Sequence, residues 1–369
     1  MSNNIIIGDV ILKEVKDYKY LGIKICNSGS FQIAREHLYK VSMKAMGNLK
    51  KCFDTSLMSI KSALYLFDSL IEPILLYGCE VTNFIHITES LKRNNYSYME
   101  KMLNWPQERV HINFCRFLLG VNNKTTKIAV LSELGRYPLY IKAFKQMWKY
   151  IVRCENEKEG SLLYNAYHES KNIESGLSWV NSFNYILKKS GLSDDDHFGG
   201  FSIKTIDELF KSSYRQYWKE KIFDDSRKEN YGNKLRTYRK FKIVYELEPF
   251  LKTIKNSEHC KQLCRLRISN HSLMIEKGRH MRLLVEDRLC KVCKVIEDEQ
   301  HFISDCKINQ NLRKSLFKFL STKSKHFFNL TSEQKLIFMM SVSDEESIIK
   351  ISNFVYNSFK IRENMYEGA

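Results

Sequence analysis

The spacing of hydrophobic and polar positions changes once, near residue 30, and that change organises the chain. Before it, short apolar runs alternate with turn residues. Ile5-Ile6-Ile7 and Val10-Ile11-Leu12 flank Gly8-Asp9, which predicts a hairpin closed by a two-residue turn. Tyr18 to Ile25 predicts a third strand, stopped by Asn27-Ser-Gly-Ser30. Beyond it the spacing becomes helical. Ala34, Leu38, Val41, Ala45 and Leu49 fall on one face, and Ile60, Ala63, Leu64, Phe67 and Leu70 repeat the pattern until Pro73 interrupts it. Val110, Phe114, Phe117 and Leu118 form a stripe that ends at Gly120. Thr126 stands where it can cap a short helix carrying Ile128, Leu131 and Leu134, closed by Gly135. Pro138 suits the first turn of a helix whose Ile141, Phe144, Trp148, Ile151 and Val152 face one way. Trp179, Val180, Phe183, Ile186 and Leu187 mark another, ended near Gly191.

The expected fold class is therefore mainly α (α+β). An N-terminal β-hairpin occupies 1–30 and a helical domain 31–157, bounded by the polar run Glu155-Asn-Glu-Lys-Glu-Gly160. A linker and helix fill 158–200, and a basic, α-rich C-terminal domain covers 201–369, with a small metal module at 285–310. Composition supports this order. With 4 prolines and 15 glycines the chain lacks the turns an all-β protein needs, and 43% hydrophobic residues suffice for real cores.

Charge narrows the partners. The 59 Lys and Arg exceed the 42 Asp and Glu, a formal +17 that attracts polyanions. No apolar run spans a bilayer and Met1-Ser-Asn-Asn4 opens no signal peptide, so nucleic acid (RNA, DNA or both) is expected rather than membrane, in an intracellular, reducing compartment of nucleus or cytoplasm. Residues 204–242 carry twelve Lys/Arg and six Asp/Glu among aromatics, of which Tyr217 and Trp218 suit stacking on bases; the alternative is an amphipathic helix pair with a solvated basic face. Lys261, Arg265, Arg267, Lys277, Arg279 and Arg282 stand against the single acid Glu276. Arginine forks suit phosphate oxygens, so Arg265, Arg267, Arg279, Arg282 and Arg288, with His271, complete the candidate contacts. Pairing of some of them with Glu276 or Glu286 is the competing reading. Gly278, next to Arg279, would let the backbone approach closely.

Ten cysteines divide into two groups. Cys26, Cys52, Cys79, Cys115 and Cys154 lie scattered in apolar stretches and are expected as small core residues. Within the other five, Cys290-Lys-Val-Cys293 is followed by seven residues, His301, four more and Cys306. Three thiolates and an imidazole at this spacing make a closed, structural zinc set, whose net charge of −1 Arg288, Lys291 and Lys294 can offset. Cys260, Cys264, His271 and His280 offer a weaker second set, because Cys264 falls beside Leu263 and Leu266 on the apolar side of a helix.

These pieces together resemble a known family. Leu263 to Arg279, then Arg288-Leu-Cys-Lys-Val-Cys293, then Glu297-Asp-Glu-Gln-His-Phe302 and Cys306 resemble the C-terminal region of non-LTR (LINE-type) retrotransposon reverse transcriptases. Val15 to Ile23 looks like the primer-grip hairpin of that family. Ile71 to Glu80 and Leu131 to Leu139 look like its thumb and the region beyond, so the likeness spans about residues 5–320 in family order. Val81-Thr82 stands where the family has Tyr and Trp. The resemblance implies a thumb-like domain over 31–157 and a chain that helps to hold template, primer and target. The palm would lie before Met1.

Nucleotide transfer by two metal ions needs a carboxylate pair on a strand hairpin. Asp194-Asp-Asp196 and Asp224-Asp225 do not lie between apolar strands and are expected as solvated positions. Two function classes follow. One is a non-catalytic fragment of an RNA-directed DNA polymerase that binds nucleic acid and one zinc. The other is an element-derived scaffold that engages a separate polymerase or a cellular protein.

Overall fold

Helices dominate the computed structural model, which describes residues 6–7, 10–11, 15–28, 30–52, 58–82, 97–173, 178–192, 201–225 and 233–367. The mainly α class expected from the spacing holds. The chain divides into two units, each made of stretches separated in sequence. One comprises Met1–Lys50, Phe67–Val110 and Pro138–Phe210; the other comprises Lys51–Leu66, His111–Tyr137 and Lys211–Ala369.

In the first unit, Ile6–Ile7 pairs antiparallel with Val10–Ile11, as the hairpin spacing anticipates; the turn itself lies outside the described residues. The single strand expected over 18–25 is a second hairpin. Asp17–Tyr20 pairs with Ile23–Cys26, Tyr18 opposite Ile25 and Tyr20 opposite Ile23. Leu21 and Gly22 both take positive φ, the geometry that matches a two-residue turn to strand twist. The helix Gln32–Lys51 buries Ala34, Leu38, Ser42 and Met46, so its stripe steps by four and leaves Val41 exposed. The core gathers around Leu139–Glu155, whose Phe144, Met147, Trp148 and Ile151 are fully buried. Phe144 meets Phe183 at 5.9 Å and Phe210 at 5.0 Å between ring centres. Burying each such side chain contributes about 1.5–3 kcal/mol, which explains why this helix organises the unit. Pro138 is the residue before the helix rather than its first turn. An apolar groove of about 950 Å³, lined by Tyr20, Ile23, Phe31, Leu76, Tyr77 and Tyr150, opens beside the second hairpin.

The second unit builds its core from Ile128–Leu134, the aromatics of Ile203–Phe223 that follow Phe210, and the C-terminal helices. Tyr245 packs edge-on against Tyr214 and Trp218 and donates its hydroxyl to the Arg136 carbonyl at 2.6 Å. Thr126 precedes Lys127–Glu133 as expected but makes no side-chain cap. Ser257–Arg267 lies against Glu345–Glu367 and buries Cys260 and Cys264. Of the five cysteines expected in cores, Cys79, Cys115 and Cys154 are buried, whereas Cys26 is half-buried and Cys52 exposed, because both sit at element ends.

Candidate metal centre

The chain from Arg288 to Glu297 folds back on itself through local hydrogen bonds. Glu297 N donates to Arg288 O at 2.8 Å, Cys290 N to Val295 O at 2.8 Å and Lys294 N to Cys290 O at 2.9 Å. Lys294 takes φ +58, a left-handed step that a side-chain-bearing residue adopts only where its surroundings enforce it. The tight knuckle brings Cys290 and Cys293 to one side. Cys293 N donates to Cys290 Sγ at 3.5 Å, and Lys307 N donates to Cys293 Sγ at 3.4 Å.

Asp298 supplies the next piece. Its carboxylate accepts from His301 N at 2.8 Å and starts a single wide helical turn, His301–Asp305. Cys306 N then donates to His301 O at 2.8 Å, which returns the chain to the knuckle. Cys290, Cys293, His301 and Cys306 thereby converge, with all four ligand atoms within 4.8 Å of one another, a group that could hold a metal ion. Cys306 Sγ lies 3.9 Å from the sulfurs of both Cys290 and Cys293. Zn–S bonds of ~2.3 Å at tetrahedral angles put sulfurs roughly 3.8 Å apart, so the spacing fits that geometry. His301 Nε2 is buried and has no hydrogen-bond partner, an orphan whose cost of about 1–3 kcal/mol a metal bond would remove. Burial holds the His301 imidazole below its usual value, keeping the neutral, ligating form, and pushes the Cys306 thiol up to about 12 in the metal-free site. A cation must therefore displace that thiol's proton to bind. Cys260, Cys264 and His280 join no such group among the described residues.

Two buried glutamates between the ligands Cys293 and His301 tie the module down. Glu297, 0% exposed, accepts from Arg362 Nη2 at 2.6 Å, Tyr366 Oη at 2.9 Å and Met274 N at 2.8 Å. Glu299, 1% exposed, takes two bonds from Arg236 Nη2, at 2.8 and 2.9 Å, with Thr237, Ser269 and His271 completing its shell. Burial alone would raise the Glu299 carboxyl, but Arg236 and the His271 hydrogen bond hold it well below the usual carboxylate range. The sign follows. A depressed acid stabilises the fold fully above its unfolded value, about 4.3, and that stability is lost as pH falls through and below it. Glu299→Gln should therefore flatten the acid limb of a stability profile below about pH 4, measured by denaturant midpoint. An unchanged limb would assign acid sensitivity to other groups.

The expected nucleic-acid contacts divide between buried and exposed positions. Arg267 is 3% exposed; its guanidinium grips Glu133 at 2.9 and 3.1 Å and Glu248 at 2.7 Å, between the rings of Phe241 and Phe250. Arg288 is 0% exposed and donates to the carbonyls of Ile275 and Leu283, locking the knuckle onto Met274–His280 instead of offsetting the sulfurs. Gly278 serves that lock. A Cβ there would lie 2.6 Å from Arg288 Cγ, so the close approach is by a side chain of this chain and not by a ligand. His271 is bound to Glu299, and Tyr217 and Trp218 are core residues that no base can reach. Burial in each case removes the group from a polyanion. Arg265 is half-buried and donates to Gly120 O at 2.7 Å. Arg279 pairs with Glu276 at 3.2 Å, the competing reading, and Arg282 is exposed. Lys291, Lys294 and Lys307, all exposed, surround the metal ligands in sequence. Asp225 pairs with Arg239 at 3.0 Å, while Asp194 to Asp196 lie outside the described residues. Among the described residues no helix is long and apolar enough to cross a membrane.

No protein-family model, curated protein or solved structure matches the chain.

Proposed function

We propose that the chain is a zinc-organised, nucleic-acid-binding region of the kind that lies C-terminal to the palm in LINE-type reverse transcriptases, without nucleotide transfer of its own. The observation that carries this reading is the Cys290/Cys293/His301/Cys306 group, whose sulfur spacing and orphaned imidazole nitrogen suit one structural zinc. Such a zinc holds a fold and does no chemistry, because all four positions are taken by protein. The +17 charge supplies the attraction to nucleic acid. With Arg267, Arg288, Tyr217 and Trp218 buried, contact falls to exposed cations beside the ligands, Lys291, Lys294 and Lys307, with Arg282.

Affinity should be salt-steep and weakly dependent on sequence. Each phosphate contact contributes about −0.7 to −0.9 to the slope of log K against log salt. Replacing Lys291, Lys294 and Lys307 with Gln should flatten the slope by roughly two to three such contacts, read by fluorescence anisotropy at several salt concentrations. A slope near zero for every nucleic acid tried would defeat the reading. It would favour the scaffold alternative, for which the exposed Leu289, Val292, Val295 and Ile296 of the knuckle offer a protein-facing surface.

A further inference from the structure

The first unit carries an amphipathic hairpin whose apolar face is left open. Its register sets Tyr18 opposite Ile25 and Tyr20 opposite Ile23, so these four share one face, while Asp17, Lys19, Lys24 and Cys26 share the other. Such alternation belongs to a sheet with one face against a core, yet Tyr18, Tyr20 and Ile25 are exposed. Tyr20, Ile23 and Ile25 of that face line the groove of about 950 Å³, and Leu76, Tyr77 and Tyr150 line it with them. The groove is preformed. Tyr77 Oη donates to Leu21 O at 2.7 Å, and a Cβ on Gly78 would overlap Ile23 Cδ1.

Charge narrows what fits there. In a chain of formal +17, the charged side chains that line the groove are both acids, Glu72 and Glu80. Lys142 neutralises Glu72 at 2.7 Å. Glu80 is half-buried, and among the described residues no cation lies within ion-pair distance of it. A carboxylate withdrawn from water among apolar side chains is costly without a counterion. The strands Asp17–Tyr20 and Ile23–Cys26 pair with no third strand among the described residues, so an edge is open to another backbone.

We propose that this groove docks an extended apolar segment of a separate protein, seated by one lysine or arginine side chain that pairs with Glu80. Apolar side chains at alternate positions of the segment cover the open face of the hairpin, and its backbone continues the sheet. The cation neutralises Glu80 where water is excluded and a charge-assisted bond is strongest. Tyr20, Tyr77 and Tyr150, lining the same groove, also favour a cation over an anion. The site lies wholly within the first unit and depends on neither the metal nor the nucleic-acid reading.

The test uses the full chain, Glu80→Gln and Tyr20→Ser. The probe is a short fluorescent peptide that alternates threonine with isoleucine, phenylalanine, lysine and isoleucine; a matched peptide carries glutamine in place of its lysine. In anisotropy titrations, wild type should bind the lysine peptide roughly tenfold more tightly than the glutamine peptide, the scale of one charge-assisted hydrogen bond. Glu80→Gln should erase that preference and bind both peptides as wild type binds the glutamine one. Tyr20→Ser should weaken both peptides by the same factor and keep the preference. Neither position is buried, so thermal midpoints of the two variants should match wild type. No binding of either peptide, equal affinity of wild type for both, or a preference that survives Glu80→Gln would overturn the proposal. So would a wild-type dimer that Tyr20→Ser dissociates in sedimentation, since a second copy would then be the occupant.

Discussion

Stripping the metal with a chelator, or replacing Cys293 with Ser, is expected to unfold the knuckle and loosen the far end of the chain while leaving the first unit intact. Zinc binding by such ligand sets is coupled to folding, worth on the order of 10–16 kcal/mol in isolated finger peptides. The local effect follows from the ligands themselves: without an ion, His301 Nε2 stays buried without a partner and only long N–H···S contacts hold the sulfurs in place. The distant effect follows from Glu297 and Glu299, which lie between ligands and anchor Arg362, Tyr366, Arg236 and His271. Hydrogen exchange should therefore rise over about residues 288–309 and, with it, over the last turns of Glu345–Glu367. Protection in Leu139–Glu155 should not change. Elemental analysis should find one zinc per wild-type chain and none in Cys293→Ser. A wild-type protein with reduced cysteines and no metal would sink the zinc assignment. Zinc loss without faster exchange in the terminal helix would reject the coupling through Glu297.

Arg267→Ala is expected to destabilise the second unit by about 3–5 kcal/mol, because it strands Glu133 and leaves Glu248, among the described residues, with Lys242 as its remaining cationic partner. The same change removes a guanidinium stacked 4.6 Å from the Phe241 ring centre, so packing is lost with charge. Arg267→Met should cost less than Ala, since the stem is kept, but still strands Glu133. Arg282→Ala, at an exposed site, should shift stability by less than about 0.5 kcal/mol. Urea midpoints of the three variants separate the roles. If Arg267→Ala instead folded as stably as wild type and lost affinity for oligonucleotides, Arg267 would be a phosphate contact and its ion pairs dispensable.

What the sequence by itself determined is what depends on neighbours along the chain. Helical spacing placed Leu139–Glu155 and its buried Phe144, Trp148 and Ile151, because a period near 3.6 is a property of consecutive residues. The four metal ligands were legible for the same reason: they lie within seventeen residues, and their chemistry suits few purposes besides a metal. The second hairpin was not legible. Tyr18, Tyr20, Ile23 and Ile25 read as one strand because Leu21, a residue that rarely takes a left-handed backbone, occupies the turn with Gly22. Nor could spacing decide which arginines and aromatics face water. Arg267 and Arg282 look alike in sequence, yet Glu133, far away along the chain, draws the first into the core, whereas the second is exposed. Glu297 and Glu299 are buried because Arg362 and Arg236, from opposite directions along the chain, neutralise them. Partner carboxylates and guanidinium groups distant in sequence decide whether a charge is buried, since desolvating it is tolerable only when its counterion is already in place. Only the tertiary structure brings those counterions together.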